Sequence, residues 1–270
     1  QNISNSFNSL SWVFSCIKTL DLVNLNSIDT YLNKINPSFV INCAAYTSVD
    51  KAEVESKLAN TINYKAVDII SRWTNKNNKK LIHISTDYVF DGLSNTPVSE
   101  DSKTNPINEY GRSKLKGEIA CLNNHPNSIV IRTSWLYSSF GKNFVKTMIS
   151  LMKNNNSVKV VNDQIGSPTY TYDLAKVIIE IIMNSKNKSG LFHYSNEGEV
   201  SWFEFAESIK KFFGFTTKLI AVSSENYLTK AKRPKYSLLD KSKIKTTFNI
   251  KIPHYEKSLI KCIKILKNEK

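Results

Sequence analysis

The stretch "KLIHISTD" at residues 80–87 decides the fold. Its first six residues form a nearly continuous apolar run of strand length, the pattern of a strand buried on both faces. Working outward, "SFVINCAA" at 38–45 and "SIVIRTS" at 128–134 repeat that pattern, and "SWVFSC" at 11–16 reads as a further strand. Between them lie amphipathic helical stretches at 26–35, 53–75 and 110–123. The first has Asn26 or Ser27 near its N-cap and Pro37 just past its end. Apolar strands alternating with amphipathic helices predict an α/β fold, a doubly wound parallel sheet covered on both faces. After Phe144 the alternation loosens, although 171–185 is clearly helical. The expected division is a first domain at 1–146 and a smaller α/β lobe at 147–270, with the 171–185 helix a candidate for returning to the first.

Ligands of open parallel sheets sit outside the carboxyl ends of the strands. The polar residues there are Asp21, residues 45–47, Ser85 to Asp87, and residues 133–135. Four separate points in the sequence thus converge on one edge. Ser85, Thr86 and Asp87 place three polar groups in a row where structure alone needs few. One strand–loop–helix unit later comes "NEYGRSKLKGE" at 108–118. Tyr110 and Lys114 share a helix face at i and i+4. A phenol ordinarily titrates near 10, and a nearby ammonium favours its ionised form, so the pair is a candidate proton-transfer device with Thr86 sharing the reacting oxygen. By itself a Tyr-x-x-x-Lys spacing is also an ordinary pair on a solvated helix face.

Bulk properties fit a globular protein: 41% apolar and 22% charged residues in a 270-residue chain. No 18-residue apolar run marks a membrane helix, and the start has no signal-peptide pattern, so a cytoplasmic location is expected. Cys16, Cys43, Cys121 and Cys262 lack disulfide or zinc spacing and read as reduced thiols. The net charge of +14 comes from lysines spread along the chain, a solvated basic surface. No nucleic-acid motif accompanies it, so a small phosphorylated ligand is the favoured anionic partner. No His/Cys/Asp cluster suggests a metal.

Seven blocks carry a resemblance: "VINCAAYTSVDKAE", "HISTDYVFDG", "EYGRSKLKGE", "IVIRTSWLY", "KNFVKTM", "VVNDQIGSPTYTYDLA" and "AKRPKYSLLD". Their order and content, from Asp21 to Asp240, resemble the dTDP-4-dehydrorhamnose reductase family of the extended short-chain dehydrogenase/reductase superfamily. The resemblance implies a Rossmann-type sheet with a C-terminal substrate lobe. It implies hydride transfer from NADPH or NADH to the 4-keto carbon of dTDP-4-dehydro-L-rhamnose, giving dTDP-L-rhamnose for cell-surface polysaccharide. Tyr110 would be the proton donor, and Lys114 would lower its pKa and bind the nicotinamide ribose. Thr86 would assist at the same oxygen. Asp21 and Leu22 would contact the adenine side of the cofactor, and Ala45, Tyr46 and Thr47 would line its binding stretch. Thr86, Asp87, Trp135 and Arg233 would contact the sugar nucleotide. The partner implied is a dTDP-sugar, with no nucleic acid and no membrane; a homodimer is left open.

Several of these residues have plain structural readings too. Trp135 reads equally as a core aromatic, Asp163 and Gly166 as a turn before the 171–185 helix, and Arg233 as a surface-loop cap. His83, inside an apolar strand, reads as structural. Two other activities stay open: an epimerase or dehydratase of the same superfamily, and a non-catalytic regulatory subunit. "STDYVF" supplies Asp87 but no adjoining Glu, which argues against a dehydratase, and the retained Thr86, Tyr110 and Lys114 favour catalysis.

A reductase of this kind is expected to open with a strand and a glycine-rich turn that admits the pyrophosphate to a helix N-terminus. No such turn occurs, and the first glycine is Gly92. The 11–16 strand fits the family's second strand, with residues 1–7 as the tail of its first helix. The expectation is a chain lacking the first strand and glycine-rich loop, which binds cofactor weakly by itself.

Overall fold

The structure is a computed structural model that describes residues 10–186 and 188–268. The expected tail of a first helix at 1–7 lies outside the described residues. The first half of the chain contributes α1 (Asn26–Ile35), β1 (Phe39–Asn42), α2 (Val49–Ala52), α3 (Ser56–Asn60), α4 (Ala66–Lys76), β2 (Lys80–Thr86), α5 (Glu109–Asn124) and β3 (Ile129–Thr133). There follow β4 (Leu136–Tyr137), α6 (Phe144–Asn154), β5 (Ser157–Val161), β6 (Ile165–Gly166), β7 (Thr169–Tyr170), α7 (Thr171–Asn184) and β8 (Gly190–His193). The chain closes with β9 (Val200–Ser201), α8 (Trp202–Phe213), β10 (Lys218–Val222), α9 (Ser242–Phe248) and α10 (Tyr255–Asn268).

The principal sheet has the order β1-β2-β3-β8 and is parallel throughout. Its strands read as apolar runs because alternate residues enter two different cores. Leu81 and Val130 face α1, α4 and α5, joining Ile28, Leu32, Val67 and Ile70. Their neighbours Ile82, Ile84, Ile129 and Ile131 face the opposite layer, with Leu174, Val177 and Ile181 of α7 and Ile244 and Phe248 of α9. Each such buried side chain contributes ~1.5–3 kcal/mol. Both α7 and β8 therefore pack with the first-half strands. A third core lies between α6, α8 and α10, where Tyr137, Met148, Phe205, Ile209 and Leu259 meet the β5–β10 pair.

Two sequence expectations are corrected. Residues 11–16 are not a strand: they run as irregular, mostly exposed chain. A strand needs a partner, and among the described residues the outer edge of β1 pairs with nothing; Leu10 and Trp12 instead rest on the α7-side core. The helix at 53–75 is not continuous. It begins at Val49, breaks at residues 53–55, and passes through a π-turn at Thr61–Lys65 before α4. The π-turn is matched to α5, where Gly117 lies directly on the Asn63 carbonyl and leaves no space for a Cβ. By contrast α1 has the expected bounds, with Asn36 at φ 46° closing it before Pro37.

Candidate active site

The site forms where β2 ends and α5 begins. Asn108 caps α5 by accepting the Gly111 N–H at 2.8 Å, and its amide donates to the Lys232 carbonyl at 2.8 Å. Gly111 presses on the carbonyl of Tyr88, where a Cβ has no room. Glycine there lets the helix start abut the turn after β2. Tyr88 and Tyr110 meet edge to face, ring centroids 5.6 Å apart.

Thr86 is the last residue of β2, level with Thr133 of β3. Its hydroxyl accepts the Tyr88 N–H at 3.2 Å, donates to Asp87 Oδ1 at 3.1 Å, and adjoins the Tyr110 phenol. Burial pushes the phenol up to about 12; the neighbouring Thr86 hydroxyl pulls it down, and the Asp87 charge adds to the rise. Asp87 is 2% exposed, and burial lifts its carboxyl to about 6 against the hydrogen bonds from Ser237 and Thr86. Its Oδ2 still lacks a well-aligned partner.

Lys114, also 2% exposed, donates from Nζ to the Ile84 carbonyl at 2.6 Å. Burial lowers its pKa to about 8, with the Glu118 charge opposing. Burial, and not the Lys114 charge, sets the phenol's pKa in this structure. The ammonium is taken up by a strand carbonyl, and loss of solvation dominates the phenol.

One turn further along α5, Glu118 forms a buried ion pair with Arg132 of β3. Ser85 donates to Glu118 Oε2 at 2.9 Å, and Arg132 Nε donates to the same oxygen at 3.0 Å. Arg132 Nη1 also reaches His193 Nε2 at 3.3 Å. Burial and Arg132 bring His193 down to about 3, so it is neutral, accepts at Nε2 and donates from Nδ1 to the Val98 carbonyl at 3.1 Å. This network fixes α5 to the sheet directly beneath Lys114. It was not singled out from the sequence, although Glu118 stands at i+4 from Lys114 and Arg132 inside "RTSW".

Trp135 follows β3 in the left-handed region at φ 48°, a strained conformation costing ~1–3 kcal/mol. Its indole stacks on Trp202 with centroids 3.5 Å apart. A Cβ at Gly166 would stand 2.9 Å from this indole and 3.1 Å from the Ser237 hydroxyl. Trp135, Gly166, Ser237 and Asp87 are thus contiguous. Arg233 pairs with Asp50, Nη2 to Oδ2 at 2.7 Å, and bonds Tyr88.

Past the end of β1, Tyr46 donates its N–H to Asn63 Oδ1 at 2.8 Å, and Asn63 Nδ2 donates to Ser113 Oγ at 2.9 Å. Residues 45–47 are held in this way against α5. Asp21 and Leu22 stand apart. Asp21 Oδ1 accepts the Val23 N–H at 2.9 Å and borders a separate open cleft of about 590 Å³ with Lys18, Ser27 and Lys34. The structure therefore gathers Thr86, Asp87, Tyr110, Lys114, Trp135 and Arg233, and leaves the Asp21 pair outside that group. His83 is buried in β2, its Nδ1 bonded to Asn42 at 3.2 Å.

The chain that carries this arrangement is similar as a whole to known proteins. The family model for the RmlD substrate binding domain matches residues 1–268. The chain belongs to that family. Among its relatives is a dTDP-4-dehydrorhamnose reductase of Aggregatibacter actinomycetemcomitans, 38% identical over 250 residues, which cover 89% of this chain and 85% of the relative. A solved dTDP-4-dehydrorhamnose reductase of Clostridium acetobutylicum superposes with TM-score 0.94 at 36% identity, covering 98% and 94% of the two chains. One from Bacillus anthracis, solved in complex with NADP, superposes with TM-score 0.89 at 39% identity, covering 93% and 89%. Among the described residues no helix is long and apolar enough to cross a membrane.

Proposed function

We propose that this chain is an NAD(P)H-dependent oxidoreductase that reduces the 4-keto group of dTDP-4-dehydro-L-rhamnose to dTDP-L-rhamnose, in the cytoplasm, for polysaccharide synthesis. The observation that carries this reading is the Tyr110 phenol beside the Thr86 hydroxyl, one helical turn before the buried Lys114. The donor set fits the nicotinamide end of a dinucleotide: a buried ammonium, a phenol, and the peptide groups of residues 45–47 at the same sheet edge. Once bound, the reduced nicotinamide supplies the hydride.

The chain's own residues handle the proton. Tyr110, pushed up to about 12, stays protonated at neutral pH. It gives its proton as negative charge develops on the sugar oxygen, a much stronger base than a ketone. Thr86, turning its proton from Asp87, donates a second hydrogen bond to that oxygen, and the Lys114 ammonium stabilises the phenolate left behind. We assign Asp87, Trp135 and Arg233 to the sugar nucleotide, and Asp21, Leu22, Ala45, Tyr46 and Thr47 to the cofactor. A division into a cofactor domain at 1–146, joined by α7, β8 and α9, and a substrate lobe formed by the rest of 147–270 belongs to the same reading. A spectrophotometric assay of NADPH oxidation with dTDP-4-dehydro-L-rhamnose tests it. Turnover that yields dTDP-L-rhamnose is expected; no turnover, or a product with the opposite configuration at C4, would sink the assignment.

A further inference from the structure

Trp135 poses a physical question that its nearness to Gly166 and Ser237 does not answer. A bulky aromatic at φ 48° needs its surroundings to hold it there. Three contacts do so. Trp202 lies flat on the indole, centroids 3.5 Å apart and planes within 6°. Phe144 backs Trp202 at 4.5 Å. On another side Gly166 approaches so closely that an added Cβ would stand 2.9 Å from Cε2.

These supports are not independent. Gly166 of β6 pairs antiparallel with Val200 of β9, and β9 leads directly into Trp202, the first residue of α8. Ser201 caps that helix through a reciprocal bond pair with Glu204. One hydrogen-bonded unit therefore presents Gly166 to one side of the indole and Trp202 to another. The same Gly166 neighbours Ser237, which bonds Asp87. Tyr110 and Lys114 are held by α5 and β2, outside this unit.

We propose that Trp202 is a positioning residue for the sugar-nucleotide side of the site: its stack holds the Trp135 indole in the orientation that faces the bound sugar, without acting on the proton-transfer group. The proposal rests on the reductase reading above and adds a residue to it.

The test uses the full chain and the variants Trp202→Ala, Trp202→Phe and Gly166→Ala. Two stacked indoles couple their transitions, so wild type is expected to give an exciton couplet in circular dichroism that both Trp135→Phe and Trp202→Phe abolish. Trp202→Ala and Gly166→Ala, acting from different sides, are each expected to raise KM for the sugar nucleotide about tenfold, with kcat within about threefold. The Kd for NADPH should stay unchanged, and Trp202→Phe, which keeps a flat ring, should recover most of the KM.

If Trp202→Ala does not fold, Gly166→Ala and Trp202→Phe carry the same comparison. A KM within about twofold of wild type in both Trp202→Ala and Gly166→Ala overturns the proposal. So does a parallel loss of NADPH binding, which would mark a general loosening. A wild type without the couplet overturns it as well, since the stack would not exist in solution. Absence of wild-type turnover instead sinks the reductase reading, while the couplet, recorded without ligand, still decides whether Trp202 sets the indole.

Discussion

Lys114 stands one helical turn beyond Tyr110, yet its ammonium donates to the main-chain oxygen of Ile84 at 2.6 Å and no hydrogen bond joins it to the phenol. The two share a helix face, but the cation is anchored to the strand. The phenol is left at about 12 by burial, a proton held until an oxygen basic enough to take it appears. In this structure the strand positions the cation and the phenol keeps the proton.

That division of labour makes Tyr110→Phe the sharpest substitution. It removes one hydroxyl and keeps the ring against Tyr88. The expected loss in kcat is about 10²–10⁴-fold, the range for a positioned proton donor. Cofactor affinity, measured by fluorescence titration, should hardly change. Retention of more than about a tenth of wild-type turnover would remove Tyr110 from its role.

The pH dependence follows from Lys114, whose pKa falls from 10.5 to about 8. Activity that needs the ammonium is full below that value and declines above it, so kcat/KM should fall on the alkaline side of about 8. The stability effect has the opposite sense. Between about 8 and 10.5 the unfolded chain keeps a proton that the folded chain has released, so this group makes the fold more stable as pH rises through that window. A kcat/KM profile still flat at pH 9.5 would contradict the assignment.

The Glu118–Arg132 pair gives a stability prediction. Both side chains are 3% exposed, and Ser85 donates to the same carboxylate. Glu118→Gln leaves the Arg132 guanidinium buried without a counter-charge. Breaking a buried pair in this way costs about 3–5 kcal/mol. Thermal unfolding should show a clearly lowered Tm, and Glu118→Gln,Arg132→Met should recover part of it. A single variant as stable as wild type would mean that solvent reaches the pair.

Much of this was legible in the sequence, and what was not has physical causes. The apolar runs at β1, β2 and β3 were readable because both faces of the sheet are covered, so that only single polar residues such as His83 and Arg132 interrupt them. Residues 11–16 have the same composition but lack a neighbour to bond, and composition alone does not carry that information. The 53–75 helix kept its periodicity across a π-turn because the stripe continues through the bulge. Tyr110, Lys114 and Thr86 were found by spacing; Trp202 and Ser237 were not, since they reach the site from segments 67 and 127 residues after Trp135 and Tyr110. The phenol's environment was not readable either, because the desolvation that dominates Tyr110 is a property of packing.

Arg233 supplies a further separation of roles. Its guanidinium reaches Asp50 Oδ2 at 2.7 Å, while Asp50 Oδ1 accepts the Ala231 N–H at 3.0 Å. The Asp50 side chain is 42% exposed, so the pair itself contributes only ~0.2–1 kcal/mol. If Arg233 serves the diphosphate of the sugar nucleotide, Arg233→Ala should raise its KM about tenfold or more, since a guanidinium–phosphate pair is among the stronger polar contacts. Asp50→Asn keeps the guanidinium and a hydrogen-bond acceptor, and should leave KM near the wild-type value. Added salt should narrow the gap between wild type and Arg233→Ala by screening the contact. Equal rises in KM for the two variants would show that Arg233 only staples its loop to α2, and the anion would then have to be bound elsewhere.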